Sequence, residues 1–201
     1  MALNGKVQYS LAALILAAST AVTAQDKPVG ITPDMMSLSV THEGKATEII
    51  RNQDNAATVT QDFALTSRPC PPFCIQPMSL GSGVETLGEL EVIDYIGKME
   101  AGDSGILLID SRTPNWVERG TIPGARNISW VDLTPSQGAT TEGIVNIMTS
   151  DFGVALAEDA DEFAVDEAIV AGDTSSVFDF SNAKTLVLFC NGMWCGQSPM
   201  S

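Results

Sequence analysis

Four cysteines stand in two pairs, and thiols do three kinds of chemistry: thiolate attack, disulfide formation and soft metal ligation. Their surroundings separate the pairs. Cys190 follows the apolar run TLVLF at residues 185–189, bounded by Ser181 and Asn182 before it and by Asn191 and Gly192 after it, which reads as a short buried strand. Beyond it lie a loop with Gly192 and Gly196, a second thiol at Cys195, and Ser198-Pro199, an N-cap residue followed by the favoured first helical position. Strand, thiol, tight loop and helix start form an order with chemical meaning. Loop N–H groups converging on a sulfur, backed by a helix N-terminus, favour the thiolate, and α/β sheets bind ligands outside the carboxyl ends of their strands. Cys190 is the candidate nucleophile, and Asn191, Gly192, Met193, Trp194 and Gly196 are the expected substrate-binding loop. An inert cysteine at a strand end is the alternative, and the backbone freedom of the two glycines speaks against it. Cys195, five residues on, has the spacing to resolve a persulfide or sulfenic acid into a disulfide. Trp194 either walls the pocket or packs.

The other pair, Cys70 and Cys74 in TSRPCPPFCIQP, sits among prolines that exclude a regular helix. A local disulfide fits this spacing, either as a staple for a coil without its own core or as a redox pair over the active loop. Zinc would require all four cysteines to meet across distant regions, and the lone His42 reads as a solvated surface residue because metal sites need clustered ligands. No metal and no cofactor is implied by any motif.

Disulfides persist only in oxidising compartments, and the first residues point to one. Lys6, an apolar run at residues 11–22 and small residues up to Ala24 form a signal-peptide pattern for residues 1–24, too short for a spanning helix. A periplasmic or secreted protein with no stable membrane association after cleavage is expected. Ten Lys plus Arg against 25 Asp plus Glu give a net charge of −15, which argues against nucleic acid and anionic membrane surfaces as partners.

The elements that must hold the loop follow in order. Residues 25–46 are polar with few anchors and read as a poorly determined mature N-terminus; 25–83 together form an N-terminal extension, and a compact domain begins at Val84. Thr86 and Glu89 fit a capping box for a helix through Met99, with Leu87, Leu90, Ile93 and Ile96 on one face. A continuous apolar run at 106–109 suits a parallel strand covered on both faces, with Asp110 and Arg112 at its end. A short helix carries Trp116, a turn follows at 121–125, and an extended piece begins at Asn127. Residues 141–152 predict a helix with Ile144, Ile147 and Met148 inward, and the acidic stretch 155–173 reads as a solvated insertion.

This alternation predicts an α/β fold. Residues 110–128, DSRTPNWVERGTIPGARNI, resemble the first signature of the rhodanese family at Asp110, Arg112, Glu118, Gly120, Ile122, Pro123, Gly124, Ala125 and Asn127. CNGMWCGQSP and TSRPCPPFCIQP together resemble an exported bacterial subgroup with an extra N-terminal segment. The resemblance implies a three-layer domain at 84–201, a parallel sheet flanked by helices, with further elements expected beyond Ser201, so that the domain is incomplete at its C-terminus. It implies a sulfurtransferase in which Cys190 takes a sulfane sulfur, holds it as a persulfide and passes it from a small donor to a thiol acceptor, including a protein thiol. Asp110, Arg112 and Glu118 are read as structural braces of neighbouring turns. The loop departs from the family pattern: its glycine comes two residues after the cysteine, and no Lys or Arg occurs at 191–201, which weakens thiosulfate as donor and weakens phosphatase or arsenate-reductase chemistry further. A thiol–disulfide oxidoreductase using Cys190 and Cys195, and a catalytically inactive binding module, are the rival functions.

Overall fold

The computed structural model describes residues 27–58, 78–81, 83–191, 195 and 198. In chain order the elements are β1 (Ser37–His42), β2 (Lys45–Ile50), β3 (Met78–Gly81), β4 (Val84–Thr86), α1 (Glu89–Glu100), β5 (Ile106–Asp110), α2 (Pro114–Val117), β6 (Arg126–Asn127), α3 (Thr141–Ser150), β7 (Ala155–Leu156), α4 (Glu162–Ala171), β8 (Phe178–Asp179) and β9 (Thr185–Phe189). The central sheet has the order β6-β5-β9 and is parallel throughout, with β5 and β9 in register from Ile106↔Thr185 to Asp110↔Phe189. Helices and a parallel sheet make this an α/β fold. The signal-peptide segment and the Cys70/Cys74 segment lie outside the described residues.

β5 is the centre of the molecule because its two faces feed two cores. Leu107 and Ile109 pack with Ile128, Ile144, Phe152, Val165 and Ile169; Ile106 and Leu108 pack with Val40, Ile96 and Val187. Successive strand residues point to opposite faces, so an unbroken apolar run is what a doubly covered strand requires. Leu108 and Ile109 are 0% and 1% exposed, and burying side chains of that size contributes about 1.5–3 kcal/mol each in transfer free energy.

Three sequence expectations change. First, residues 37–46, within the stretch expected to be poorly determined, join residues 47–50 in an antiparallel hairpin, β1 with β2, whose Val40 and the preceding Ile31 are each only 2% exposed. Its two-residue turn places Glu43 at φ 49 and Gly44 at φ 74, the left-handed pair whose twist matches that of the flanking strands. Second, the capping box moves. Thr86 is paired in β4, α1 starts three residues later, and the Gly88 N–H donates to the Glu91 carboxylate at 3.1 Å. Glu89 is thereby released to bridge Arg51. Third, the acidic stretch contains α4. Its charges at Glu162, Asp166 and Glu167 are exposed as expected, but Val165, Ala168 and Ile169 are core residues, so the segment is an amphipathic wall and not a wholly solvated insertion. Asp161 caps it, accepting from the Ala164 N–H at 2.8 Å.

Candidate active site

Parallel pairing in register brings the ends of β5 and β9 side by side. The Ser111 N–H donates to the Phe189 carbonyl at 3.1 Å, so Cys190, the next residue, emerges beside Ser111 and Arg112. Every apolar residue of β5 is spent on the two cores, and the first polar residue, Asp110, arrives where the strand ends; its side chain is nevertheless fully buried.

A buried carboxylate has to be satisfied, and here four groups do it. Asp110 Oδ1 accepts from the Arg112 N–H at 3.1 Å and from Nε at 2.8 Å; Oδ2 accepts from Arg112 Nη2 at 2.6 Å and from the Thr121 hydroxyl at 2.7 Å. Burial alone would raise the Asp110 carboxyl. The hydrogen bonds from Arg112 and Thr121, with the guanidinium charge, outweigh it and hold the group below its ordinary range. Asp110 in turn raises the Arg112 guanidinium. Arg112 also donates to the Gly120 carbonyl at 2.7 Å, and Asn127 Nδ2 donates to the carbonyls of Asp110 and Arg112, both at 2.8 Å. The signature residues thus stitch the end of β5 to the turn at 120–124 and to β6.

That turn is also fixed from the far side. Gly124 has φ +86, and a Cβ there would lie 3.2 Å from Val40 Cγ1 of the hairpin; its N–H donates to His42 Nδ1 at 3.3 Å. His42, expected to be solvated, is half-buried and accepts from the turn.

Cys190 and Cys195 are both half-buried and are not joined by a disulfide. The Cys190 Sγ lies 3.6 Å from the Cys195 carbonyl oxygen, within reach of an S–H donor contact. Asn191, expected in the substrate loop, accepts from Arg112 Nη1 at 3.4 Å and so ties the first loop residue to the β5 end. Gly192, Met193, Trp194 and Gly196, and with them the expected convergence of loop N–H groups, lie outside the described residues. Glu118 is exposed, and among the described residues its carboxylate makes no hydrogen bond or ion pair: it does not brace the turn, whereas Asp110 and Arg112 do.

Cys190, Asn191 and Arg112 line a cleft of about 810 Å³. Its other wall comes from distant sequence: Ile49, Ile50 and Arg51 from the hairpin, and Leu87, Glu89 and Val92 at the start of α1. Arg119, stacked on the Trp116 ring at 4.5 Å, lines it as well. The loop has no cation of its own, yet three arginines reach the cleft, two of them bridged to carboxylates: Arg51 to Glu89 and Arg112 to Asp110. Arg51, Arg119 and Thr121 were missed in sequence. Thr121 and Arg119 lie within the signature stretch but outside the positions that match it; Arg51 carried no signal at all, because only tertiary folding brings it near Cys190.

No curated protein and no solved structure matches the chain. The model of the rhodanese-like domain matches residues 94–200, more than half of the sequence and the whole of the β5 and β9 machinery just described, and the chain belongs to the rhodanese-like family.

Proposed function

We propose that the protein is a sulfurtransferase that carries sulfane sulfur as a persulfide on Cys190. The observation that carries this reading is the position of Cys190: a thiol at the carboxyl end of β9, which pairs in parallel with the central strand β5, half-buried on the wall of a cleft beside Arg112. The family also includes inactive modules, and a cysteine at this point supports a working one. The Cys190 thiolate attacks the sulfane sulfur of a donor; the new S–S bond forms as the donor's S–S bond breaks, and its electron pair leaves with the donor's remaining sulfur group. An acceptor thiolate then attacks the outer sulfur, and Cys190 leaves as thiolate. The contribution of Arg112 is positional: bound to Asp110 and to Asn191, it fixes where the loop starts.

The same reading includes a three-layer domain, export through residues 1–24 and a thiol acceptor in an oxidising compartment. Incubation of the protein with thiosulfate or polysulfide, followed by mass spectrometry, tests it. Added sulfur on Cys190, lost in Cys190→Ser, is the expected result; absence of any adduct and of turnover, with partner binding unchanged in Cys190→Ser, leaves a binding module.

One contact favours a second reading. The approach of Cys190 Sγ to the backbone of Cys195 brings the two cysteines together in the loop, as resolution of a mixed disulfide requires. In that scheme Cys190 attacks a substrate disulfide, Cys195 displaces the product thiol, and the enzyme becomes the oxidised partner. Loss of disulfide reduction with intact sulfur transfer in Cys195→Ser selects it.

A further inference from the structure

A groove between α3 and α4 shares no lining residue with the cleft at Cys190. It holds about 1000 Å³ and runs along α3 from Thr141 to Thr149, roughly 12 Å at the helical rise of about 1.5 Å per residue. Val145, Ala160 and Val165, which pack on the core beneath, give it an apolar floor, and Leu156 and Phe163 add side chains that stay 42% and 77% exposed. Single exposed apolar side chains are ordinary and assign nothing. What sets this groove apart is that Glu142, Asp161, Glu162 and Asp166, all exposed, line it together with that apolar surface. Asp161 caps α4 and Asp166 accepts from the Thr141 hydroxyl, yet among the described residues none of the four forms an ion pair. The sequence around them offers no counter-charge: residues 127–183 contain eleven Asp or Glu and no Lys, Arg or His. Acids in a first helical turn complement the helix dipole, which accounts in part for Glu142, Asp161 and Glu162 but not for Asp166, beyond the first turn of α4. Nor do the carboxylates converge, since among the described residues no three acids stand close enough to share a metal ion. Spread negative charge around an apolar floor complements an extended cationic body with an apolar face.

We propose that this groove docks a basic amphipathic helix of a partner protein, its apolar ridge lying between α3 and α4 and its Lys and Arg side chains meeting Glu142, Glu162 and Asp166. A groove between two helices accepts the side-chain ridge of a third, and two to three helical turns match its length. Charge selects this occupant. A second copy docked through a symmetric interface would set the same carboxylates against themselves, in a chain whose net charge is −15. An anionic lipid surface is repelled in the same way. A polycation without an apolar face would leave Phe163 and Leu156 in water. The proposal does not depend on the chemistry at Cys190, and the two sites can be broken separately.

The probe is a synthetic peptide of about 18 residues made of Leu and Lys, with Leu at i, i+3, i+4 and i+7 so that one helical face is apolar. Its binding to the full chain is measured by calorimetric titration beside a scrambled peptide of the same composition and a Leu-Glu counterpart. The amphipathic basic peptide should bind about tenfold or more tighter than the scrambled one and gain helical circular dichroism on binding, and the Leu-Glu peptide should not bind. Any cation is drawn to an acidic chain, so the place of binding is read from paired variants on one helix. Phe163→Ser should weaken binding about tenfold or more, whereas Val170→Ser, at a side chain 71% exposed on α4 but outside the groove, should change it by less than about twofold. Glu162→Gln should weaken it about two- to fivefold, and Glu167→Gln, outside the groove, by less. Equal affinity for the scrambled peptide, or equal effects of Phe163→Ser and Val170→Ser, overturns the proposal. So does either rival occupant: self-association in sedimentation that Phe163→Ser abolishes makes the groove an interface between copies, and binding to phosphatidylcholine vesicles that Phe163→Ser abolishes makes it a lipid-facing surface. Sulfur loading on Cys190 should be unchanged in Phe163→Ser, so failure of docking and failure of the sulfurtransferase reading are told apart.

Discussion

The carboxyl ends of β5 and β9 lie side by side, yet they are built on opposite principles. At the end of β5, Asp110 is fully buried and its carboxylate takes four hydrogen bonds, from Arg112 and Thr121, while Asn127 holds the carbonyls around it. At the end of β9, Cys190 is half-buried, meets the Cys195 carbonyl at 3.6 Å, and opens on a cleft. The first end is locked because an unpaired buried charge is costly; the second is left accessible, as the nucleophile proposed for Cys190 has to be. Conspicuous charged residues can therefore be the scaffold, and a plain thiol next door the candidate site.

The comparison is broken most directly at Cys190. Cys190→Ser should lose all sulfur loading while changing stability by less than about 1 kcal/mol, since a half-buried thiol replaced by hydroxyl creates no cavity. Mass spectrometry after donor treatment and urea denaturation check the two halves; a large loss of stability would mean that the β9 end is scaffold too. Asp110→Ala should do the reverse, costing about 3–5 kcal/mol by leaving the Arg112 guanidinium, 12% exposed, without its carboxylate. A thermal melt that moved by only a degree or two would show that the β5 end is not locked.

Gly124→Ala is next, at about 1–3 kcal/mol, because φ +86 is strained for any residue with a Cβ and the new methyl would press on Val40. The loss should appear as a lower denaturation midpoint, and a neutral outcome would mean that the hairpin does not clamp the turn. Thr121→Val, which removes one of the four hydrogen bonds to Asp110, should cost about 1–2 kcal/mol.

Acid gives the smallest and most specific test. The Asp110 carboxyl is held below its unfolded value of about 3.9, so its stabilisation is complete above that pH and is lost as pH falls through the lower folded value. The stability gap between wild type and Asp110→Asn should thus be constant above about pH 5 and shrink toward pH 2, as read from denaturation midpoints across that range. A gap that widened on acidification would reverse the sign argued for Asp110.

Legibility followed the range of the forces involved. The parallel strands were legible because burial on both faces demands an unbroken apolar run, and residues 106–109 and 185–189 are such runs. The hairpin was not, since Glu43-Gly44 lacks the Asn-Gly or Asp-Gly signal and a Glu at φ 49 is uncommon. The start of α1 was misplaced because Thr86 satisfies a local capping rule, yet as the last residue of β4 it pairs with Met78 of β3. α4 was half-read: its charges were visible, but the depth of Val165 and Ile169 depends on α3 and Phe152 packing over them.

What the sequence determined by itself is the local chemistry: a thiol after an apolar strand, an acid and an arginine after another, and a glycine turn between them, all fixed by residue type and spacing. What only the tertiary structure decided is which of these residues is spent on the fold and what faces the thiol. Glu118 and Arg112 look alike as signature charges, yet one is exposed and the other closes a buried ion pair. Arg51, 139 positions before Cys190, shares its cleft only because β2 and the start of α1 fold over the end of β9. Contacts of that span depend on how the hairpin packs on α1 and β5, and no local pattern of residues encodes such packing.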